Sequence, residues 1–360
     1  MKNTFGNSIS ITLFGESHGG GIGAVLDGLP AGLEIDRDFI SAQLDRRRPS
    51  GSISTSRAES DNFQIISGVF GGKTCGTPLT IIIPNENTRS RDYDYGKARP
   101  GHADYTAYMR YAGFEDYRGG GHFSGRITAA LTAAGAVALH ALENKGVRIA
   151  THIYECAGVR DRDFSDIEAD FKKLFGSNFA VLDDDAAKKM QEEILSAKND
   201  CDSVGGILET VITGMPAGAG DPWFDTVEGL LSHAVFSVPA VKGIEFGDGF
   251  AMAKMRGSQA NDPLRTENGK VYTSKNSNGG INGGITNGMP IVMRAAVKPT
   301  PTIFIEQNTV DFINGKNTTL KAAGRHDPCI VHRAGAVIDS VCALTLCDIL
   351  ASRFGADYLR

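Results

Sequence analysis

Four histidines lie in loops that contain glycine or proline, where an imidazole can reach a ligand. They are His18, His102, His122 and His326. Loops on a rigid scaffold often carry catalytic side chains, and an imidazole exchanges protons near neutral pH. Three further histidines fall within predicted helices or strands, and we interpret them as structural: His140, His152 and His233. The loop histidines are therefore the candidates for acid–base chemistry.

Arginines are concentrated in the same kind of loop. Those beside glycine, histidine or aspartate include Arg99, Arg118, Arg126 and Arg325. Three more end a predicted helix: Arg46, Arg47 and Arg48. Because guanidinium groups bind carboxylates and phosphates bidentately, this pattern in an acidic chain predicts a pocket for a small polyanion. For the helical triplet, a solvated helix end that interacts with the helix dipole is an equally good interpretation.

Three kinds of chemistry suit these residues. Ser17, in Gly15-Glu-Ser-His-Gly19, has the glycine spacing of a nucleophile elbow, but more glycines follow where the elbow requires a helix. A metal-dependent phosphoesterase would use His102, Asp104, His326 and Asp327, although no acidic cluster completes a ligand shell. We favour the third interpretation, in which arginines hold anions, histidines move protons and glycine loops surround a flat or phosphorylated cofactor.

Glycine is unusually frequent in this chain. It accounts for 44 of the 360 residues, and 14 of these glycines lie within residues 15–23, 119–125 and 279–288. Glycine permits positive φ and close approach of the backbone to another group. The three stretches therefore predict places where the backbone closely contacts something else.

The elements that must position these residues are short and of both kinds. Runs rich in isoleucine and valine predict strands at residues 9–14, 23–26, 63–70, 79–83, 147–154, 207–212 and 290–297. Helices are predicted at residues 36–47, 127–144, 184–198, 225–236 and 336–353. Because no linker divides the chain, the sequence predicts a single α+β domain over residues 1–360.

Two pairs of segments resemble each other and predict an internal duplication. Residues 25–32 and 211–218 both carry a strand followed by Gly-[Leu/Met]-Pro-Ala-Gly, and residues 71–79 and 283–291 both begin with Gly-Gly and lead into a strand. The prediction is two similar interwoven halves, about 8–150 and 200–353, arranged as layers around a shared core.

Charge and composition argue against several classes of protein. A net charge of -5 does not suit a surface for nucleic acid or anionic membrane, and no uninterrupted apolar stretch reaches the length of a membrane span. The six cysteines lack CxxC or zinc spacing, and Cys342 and Cys347 fall in an apolar helix, which predicts buried reduced thiols. With no secretory pattern at the N-terminus, we expect a soluble cytoplasmic protein.

Six segments together make the chain similar to the chorismate synthase family: residues 15–19, 99–104, 118–126, 278–290, 298–302 and 324–329. They occur in the family's order across nearly the whole chain. Each is weak evidence alone, but the combination is specific. The resemblance implies a β-α-β sandwich that assembles as a homotetramer.

The resemblance also implies an activity. It implies a lyase of the shikimate pathway, in aromatic amino acid biosynthesis, that converts 5-enolpyruvylshikimate 3-phosphate into chorismate and phosphate by anti-1,4-elimination. Reduced FMN would be required although no net redox change occurs, and NADPH would be a further cofactor if the protein reduces its own flavin. Two carboxylates and a phosphate on the substrate would account for the arginines.

Roles for individual residues follow from the same resemblance. His18 and His102 would handle protons, and Asp327 would relay a proton near the flavin. The substrate would be bound by Arg47, Arg99, Arg126 and Ser17, and no metal site is implied. The flavin would contact His122, Phe123, Ser124, Ala240, Gly283, Lys298, Pro299, Thr300, Pro301, Thr302 and Arg325.

The chain departs from the family pattern in a few places. After the arginine triplet the next arginine is Arg57, later than in many relatives, which leaves open how this segment meets the substrate phosphate or a nicotinamide nucleotide. His122 stands where other members have arginine and Pro301 where others have serine, and we interpret both as subgroup variation. A metal-dependent phosphoesterase and a non-enzymatic module that binds an anionic metabolite or RNA remain the alternatives.

Overall fold

Two antiparallel five-stranded sheets enclose a layer of helices in the computed structural model, which describes residues 2–49, 51–55, 59–88, 95–322 and 326–360. The first sheet has the strand order β1 (Thr4–Phe5), β2 (Ser10–Gly15), β3 (Gly21–Asp27), β7 (Leu79–Pro84) and β4 (Gln64–Ser67). The second has the order β11 (Val241–Phe246), β16 (Ile291–Val297), β10 (Gly206–Thr213), β8 (Arg148–Cys156) and β9 (Val159–Arg160).

Helices and short hairpins complete the described fold. The helices are α1 (Arg37–Arg47), α2 (Asp104–Tyr111), α3 (Thr128–Glu143), α4 (Ile167–Leu174), α5 (Asp184–Asn199), α6 (Val227–Phe236), α7 (Gly257–Ala260) and α8 (Val331–Phe354). The hairpins pair β5 (Val69–Phe70) with β6 (Lys73–Thr74), β12 (Leu264–Glu267) with β13 (Lys270–Thr273), β14 (Ile281–Asn282) with β15 (Ile285–Thr286), and β17 (Gln307–Asp311) with β18 (Lys316–Leu320).

The middle layer is built on the packing of α3 against α8. Helix α3 contacts β3 and β7 of the first sheet, and α8 contacts β8 and β10 of the second. The two helices approach so closely at Gly135 that a Cβ there would collide with the side chain of Ser340. Strands β7 and β16 alternate buried and half-buried residues, which directs their apolar faces toward these helices. The predicted α+β class and the β-α-β sandwich are confirmed.

Two helical segments are long and apolar enough to cross a membrane: Gly125–Glu143 and Val331–Phe354. Inside the fold, 89% and 100% of their most apolar windows are buried. Charged residues, such as Asp339 and Asp348, interrupt the apolar sequence of α8, so it contains no uninterrupted apolar run of that length. The position of both segments between the sheets accounts for their apolar composition.

The predicted elements agree with most of the structure, with informative exceptions. The predicted strand at residues 63–70 is two strands, β4 and β5, because Gly68 takes φ +84° between them. Helix α8 begins at Val331 rather than at residue 336, since its first turn is buried as well. Helices α2 and α4 and strand β11 were not predicted from the sequence.

Residues 25–32 and 211–218, the first pair of similar segments, form the same turn. Gly28 and Gly214 take φ +85° and +80°. In the first copy, Thr74 donates its hydroxyl to the proline carbonyl of the turn at 2.6 Å and accepts the amide of the turn's last glycine at 2.8 Å. Thr286 makes both contacts in the second copy, at the same distances. This equivalence supports the duplication, whose extent stays a prediction.

The six cysteines are free thiols. Cys342 and Cys347 are buried in α8, as predicted, and burial raises the pKa of both thiols above its ordinary value. Cys156 and Cys329 are also buried, with their sulfur atoms 3.8 Å apart. Because the reactive form of cysteine is the thiolate, the two thiols of α8 are structural.

A row of charged side chains crosses the second sheet at His152. The imidazole Nδ1 lies 2.7 Å from Asp161 and Nε2 lies 3.2 Å from Glu209, which also accepts a hydrogen bond of 2.7 Å from Arg294. Burial alone would lower the pKa of His152, but hydrogen bonds to the two carboxylates raise it above its ordinary value. The contacts are consistent with the structural role predicted for this histidine.

His152 should make the stability of the protein depend on pH. A group whose pKa is higher in the folded than in the unfolded state stabilises the fold fully below about pH 6.5, its unfolded value, and loses that contribution as pH rises through the folded pKa. The contribution of His152 to the free energy of unfolding should therefore fall as pH rises above about 6.5 through its folded pKa, and His152→Gln should lack that component. Denaturant unfolding between pH 6 and pH 9 measures both; parallel pH curves for the two proteins would contradict the assignment.

Candidate active site

A cavity of about 880 Å³ opens among the ends of α1, α3, β16 and α8 and the loops between them. Part of its wall is apolar and comes from β2 and the middle helices: Ile11, Leu13, Leu131, Val337 and Leu344. The polar part includes Arg47, Asp61, Arg99, His102, His122, Arg126, Lys298, His326, Asp327 and Arg333. The structure thus brings together residues that are far apart in the chain, as in the 2.9 Å hydrogen bond from Arg333 Nε to the Arg47 carbonyl, across 286 positions.

Three consecutive glycines bring two of the predicted catalytic histidines to one loop. Gly119, Gly120 and Gly121 all have positive φ, between 52° and 81°. A Cβ at Gly119 would collide with the ring of His18, and one at Gly120 would lie 3.0 Å from the ring of His102. Only glycine allows this backbone conformation and this proximity together. The second glycine stretch therefore approaches the two histidines.

Ser17 and His18 lie behind this loop. Ser17 is fully buried, and its amide donates to the carbonyl of Gly121 at 3.0 Å. Among the described residues, the cavity wall includes Gly119 but neither Ser17 nor His18. The segment 16–20 connects the antiparallel strands β2 and β3, so the strand–turn–helix of a nucleophile elbow is not formed. The predicted roles of both residues stay predictions.

His102 is oriented by Asp104. Its Nδ1 lies 2.8 Å from Asp104 Oδ1 and 3.0 Å from Arg99 Nη2, so neighbouring side chains occupy this ring nitrogen. Nε2 is then the ring nitrogen that can exchange a proton with a ligand. Arg99 donates to the same carboxylate from Nε and Nη2 at 2.8 and 2.7 Å. Burial favours the neutral acid, but these hydrogen bonds hold the pKa of Asp104 well below its ordinary value.

A second, smaller cavity of about 300 Å³ lies on the other side of this pair. Both cavities share wall residues: Arg99, His102, Ala103, Phe123, Thr302 and His326. Tyr95 and Tyr117 in its wall have ring centroids 4.7 Å apart. His102 is therefore reached from two sides.

Arg47 and Arg126 are buried side by side around one carboxylate. Arg47 donates to Thr128 Oγ1 at 2.9 Å, to Asp61 at 3.3 Å and to the carbonyl of Gly125 at 3.2 Å. Arg126 also donates to Asp61. Burial and the nearby charges of other arginines lower the pKa of Arg47 to about 9, so it is charged at neutral pH.

The three arginines that end α1 enter different environments, so they do not share one role. Arg46 forms a salt bridge of 2.8 Å with the buried Asp339 of α8, so it ties α1 to the helical layer. Arg48 pairs with Asp45 near the surface. Arg118 is half-exposed and pairs with Asp116 at 2.8 Å. Of the triplet, Arg47 belongs to the cavity wall.

Asp327 is held by two donors. Its Oδ1 accepts the amide of Thr55 at 2.8 Å, and its Oδ2 accepts Arg333 Nη1 at 2.6 Å. Both carboxylates that a metal-dependent phosphoesterase would use are thus paired with arginines, Asp104 with Arg99 and Asp327 with Arg333. The described residues contain no group of three or more histidine, cysteine, aspartate or glutamate side chains placed to hold a metal ion.

Most of the residues expected to contact a flavin line the large cavity: His122, Phe123, Ser124, Ala240, Lys298, Thr300, Pro301 and Thr302. Lys298 Nζ donates to the carbonyl of Gly101 at 2.6 Å, and His122 Nδ1 lies 2.8 Å from that of Gly15. Pro299 adjoins this wall without being part of it. Gly283 lies in the turn between β14 and β15, away from the described cavity wall. Arg325 lies outside the described residues.

Sequence reasoning missed two residues of the cavity wall, Asp61 and Arg333. Arg333 lies in the first turn of α8, six residues after Asp327, and this proximity to a recognised motif was an available signal. Asp61 reaches the arginines from a loop in which its own φ is +52°, and no local pattern announces such a conformation. Arg333 was missed because its partner Arg47 is distant in the chain, and Asp61 because its own backbone conformation is unusual.

Known proteins resemble this chain over nearly its whole length. A family model described as chorismate synthase matches residues 9–351. Chorismate synthases of Pyrococcus abyssi and Methanosarcina acetivorans are 45% and 46% identical over 350 and 349 residues, covering 97% and 96% of this chain and 97% and 95% of theirs. A solved structure titled "Crystal Structure of Chorismate Synthase" matches with a TM-score of 0.78 at 29% identity, over 98% of this chain and 94% of that one. This chain belongs to the chorismate synthase family, carbon–oxygen lyases of the chorismate-forming step of the shikimate pathway.

Proposed function

We propose that this protein converts 5-enolpyruvylshikimate 3-phosphate into chorismate and phosphate by anti-1,4-elimination, with reduced FMN bound and no net redox change. The observation that carries the proposal is the buried pair Arg47 and Arg126, held by Asp61 in the same cavity as the oriented pair His102 and Asp104. Anion binding and proton exchange are the two tasks that this elimination sets for protein side chains.

The charge of the cavity suits this substrate. Its described wall carries seven lysines and arginines against three carboxylates, in a chain whose net charge is -5. The substrate carries two carboxylates and a phosphate monoester, which alone has a charge of about -1.5 to -2 at pH 7. The excess of positive charge in the wall and the negative charge of the substrate are therefore similar in size, and burial strengthens their attraction.

The cavity also suits a flavin beside the substrate. Ligand pockets commonly measure about 300–1,000 Å³, so about 880 Å³ is large for one small metabolite. Thr300 Oγ1 is a buried cavity-wall atom that has no hydrogen-bond partner among the described residues, and Phe123 and Lys298 offer a ring face and a cation. When bound, reduced FMN supplies an electron-rich ring system, while the protein supplies binding, orientation and electrostatics.

The proton-handling roles follow from the hydrogen bonds. His102 holds or accepts a proton at Nε2, because Asp104 and Arg99 occupy Nδ1. His18 acts from behind the glycine loop. Its ring lies next to Gly119, and the ring of His102 lies next to Gly120. Asp327, oriented by Thr55 and Arg333, is the third group proposed to move a proton. Ser17, Arg99 and the paired arginines orient the substrate anions.

Assembly and compartment complete the proposal. The protein acts as a homotetramer in the cytoplasm on a small polyanionic substrate, without nucleic-acid or membrane partners. If it also reduces its own flavin, NADPH is the electron donor. Free cysteines are in keeping with a reducing compartment.

An anaerobic assay tests the function directly. The purified protein, chemically reduced FMN and 5-enolpyruvylshikimate 3-phosphate should together give chorismate and inorganic phosphate in equal amounts. Oxidised FMN should give product only when NADPH is added and the protein reduces its own flavin. Absence of product with freshly reduced flavin would refute the proposal.

His102→Ala and His18→Ala should each lower turnover by about 10- to 1,000-fold, because general acid–base groups contribute on that scale. Flavin binding, followed by its absorbance and fluorescence, should survive, and Tm should change little. His233→Ala serves as a matched control, since this histidine also lines the cavity but packs edge-on against Phe5. Near-normal turnover in either test variant would remove that residue from the mechanism.

Arg47→Ala should raise KM for the substrate by about 10- to 100-fold, because hydrogen bonds to charged groups contribute about 1.5–3 kcal/mol each. The half-exposed Arg118, paired with Asp116, is the control position, and Arg118→Ala should leave KM within about twofold. Initial rates across a range of substrate concentrations measure both. An unchanged KM for Arg47→Ala would show that the substrate anions bind elsewhere.

A further inference from the structure

Asp61 occupies an unusual position for a carboxylate. Its side chain is 1% exposed, and it accepts hydrogen bonds from Arg47 through Oδ2 and from Arg126 through Oδ1. Arg48 Nε lies 3.6 Å from Oδ2. The residue takes φ +52°, a left-handed conformation that aspartate adopts more readily than most residues. The backbone of this loop is thus bent so that one carboxylate enters a group of guanidiniums.

The two arginines belong to different parts of the chain. Arg47 is the last residue of α1, and Arg126 lies in the turn before α3. Arg47 also donates to Thr128 and to the Gly125 carbonyl, in the segment that carries Arg126, and Arg126 donates to Asn85 and to the Pro84 carbonyl. Asp61 is the group that both of them share.

The hydrogen bonds leave donors available for a ligand. A guanidinium has five N–H groups, and the described contacts use three on Arg47 and three on Arg126. Two N–H groups on each side chain remain. Because both guanidiniums are held by the same carboxylate, the four remaining donors have a fixed relative position.

We propose that Asp61 is a positioning residue for the anionic substrate: it joins Arg47 and Arg126 into one rigid phosphate- or carboxylate-binding unit. The identity of the substrate rests on the proposed function, but the binding of an anion by this unit does not. Asp61 acts through the arginines, since its own oxygens can only accept hydrogen bonds.

A purely electrostatic role for Asp61 predicts the opposite sign. If the carboxylate only reduced the positive charge of the cavity, its neutralisation would make anions bind more tightly. If it positions the arginines, its neutralisation releases one of them and weakens anion binding despite the added positive charge. The direction of the change therefore distinguishes positioning from charge reduction.

Asp61→Asn is the test variant, because asparagine has the same shape and tolerates the left-handed conformation. Its amide has one accepting oxygen, so it satisfies one arginine instead of two. We expect the Kd for inorganic phosphate, measured by calorimetry without flavin, to rise about tenfold. KM for 5-enolpyruvylshikimate 3-phosphate should rise similarly, with kcat within about threefold. Asp163→Asn, which removes an exposed partner of Arg160, should change neither.

Removal of the carboxylate can also destabilise the fold, because it leaves buried guanidiniums unpaired. Asp61→Gly, which accepts the positive φ and leaves a space, should then regain phosphate binding and stability when formate is added. Unchanged or tighter phosphate binding by Asp61→Asn, or no effect of formate on Asp61→Gly, would overturn the proposal. Weaker phosphate binding in a protein that forms no chorismate would refute the proposed function while supporting the role of Asp61.

Discussion

Burial of positive charge is the constraint on which the site depends. Arg46, Arg47 and Arg126 lie where little water reaches them, and an ion removed from water is costly unless it is paired and hydrogen-bonded. The fold meets this requirement with carboxylates from other elements. Asp339 comes from the middle of α8 and Asp61 from a loop after α1. The position of α1 between the helical layer and the cavity is therefore fixed at both faces by ion pairs.

Close backbone approach is the second constraint, and it explains the glycine excess in two different ways. Gly119 and Gly120 leave room for the rings of His18 and His102, so this stretch serves the site. Gly283 and Gly284 form a hairpin turn with positive φ, as Gly71 and Gly72 do between β5 and β6. That part of the excess serves turns. Gly135 belongs to neither group, since it allows α3 and α8 to touch.

The sequence was sufficient where a local pattern determines the structure. Alternating or continuous apolar runs predicted most core strands and helices, and the motifs pointed to Arg47, Arg99, Arg126 and His102. It was insufficient where neighbours in sequence enter different environments. Arg46 and Arg47 are separated by about 100° around a helix, and only the packing of α1 decides which one reaches the cavity. Similarly, pairing between Asp61 and Arg126 depends on a contact across 65 residues and on a left-handed backbone.

The site combines rigid arginine side chains with an excess of positive charge. Every described arginine at the polar end of the cavity is held by a carboxylate, yet the wall as a whole remains positive. If carboxylates neutralised every arginine, the cavity would attract an anion only weakly. If they neutralised none, the guanidinium groups in the empty cavity would repel one another. The carboxylate of Asp61, which Arg47 and Arg126 share, satisfies both demands, because one negative charge orients two positive ones. Under the proposed role of these arginines, an incoming anion would meet donors that are already in place, so little binding energy would be lost in ordering them.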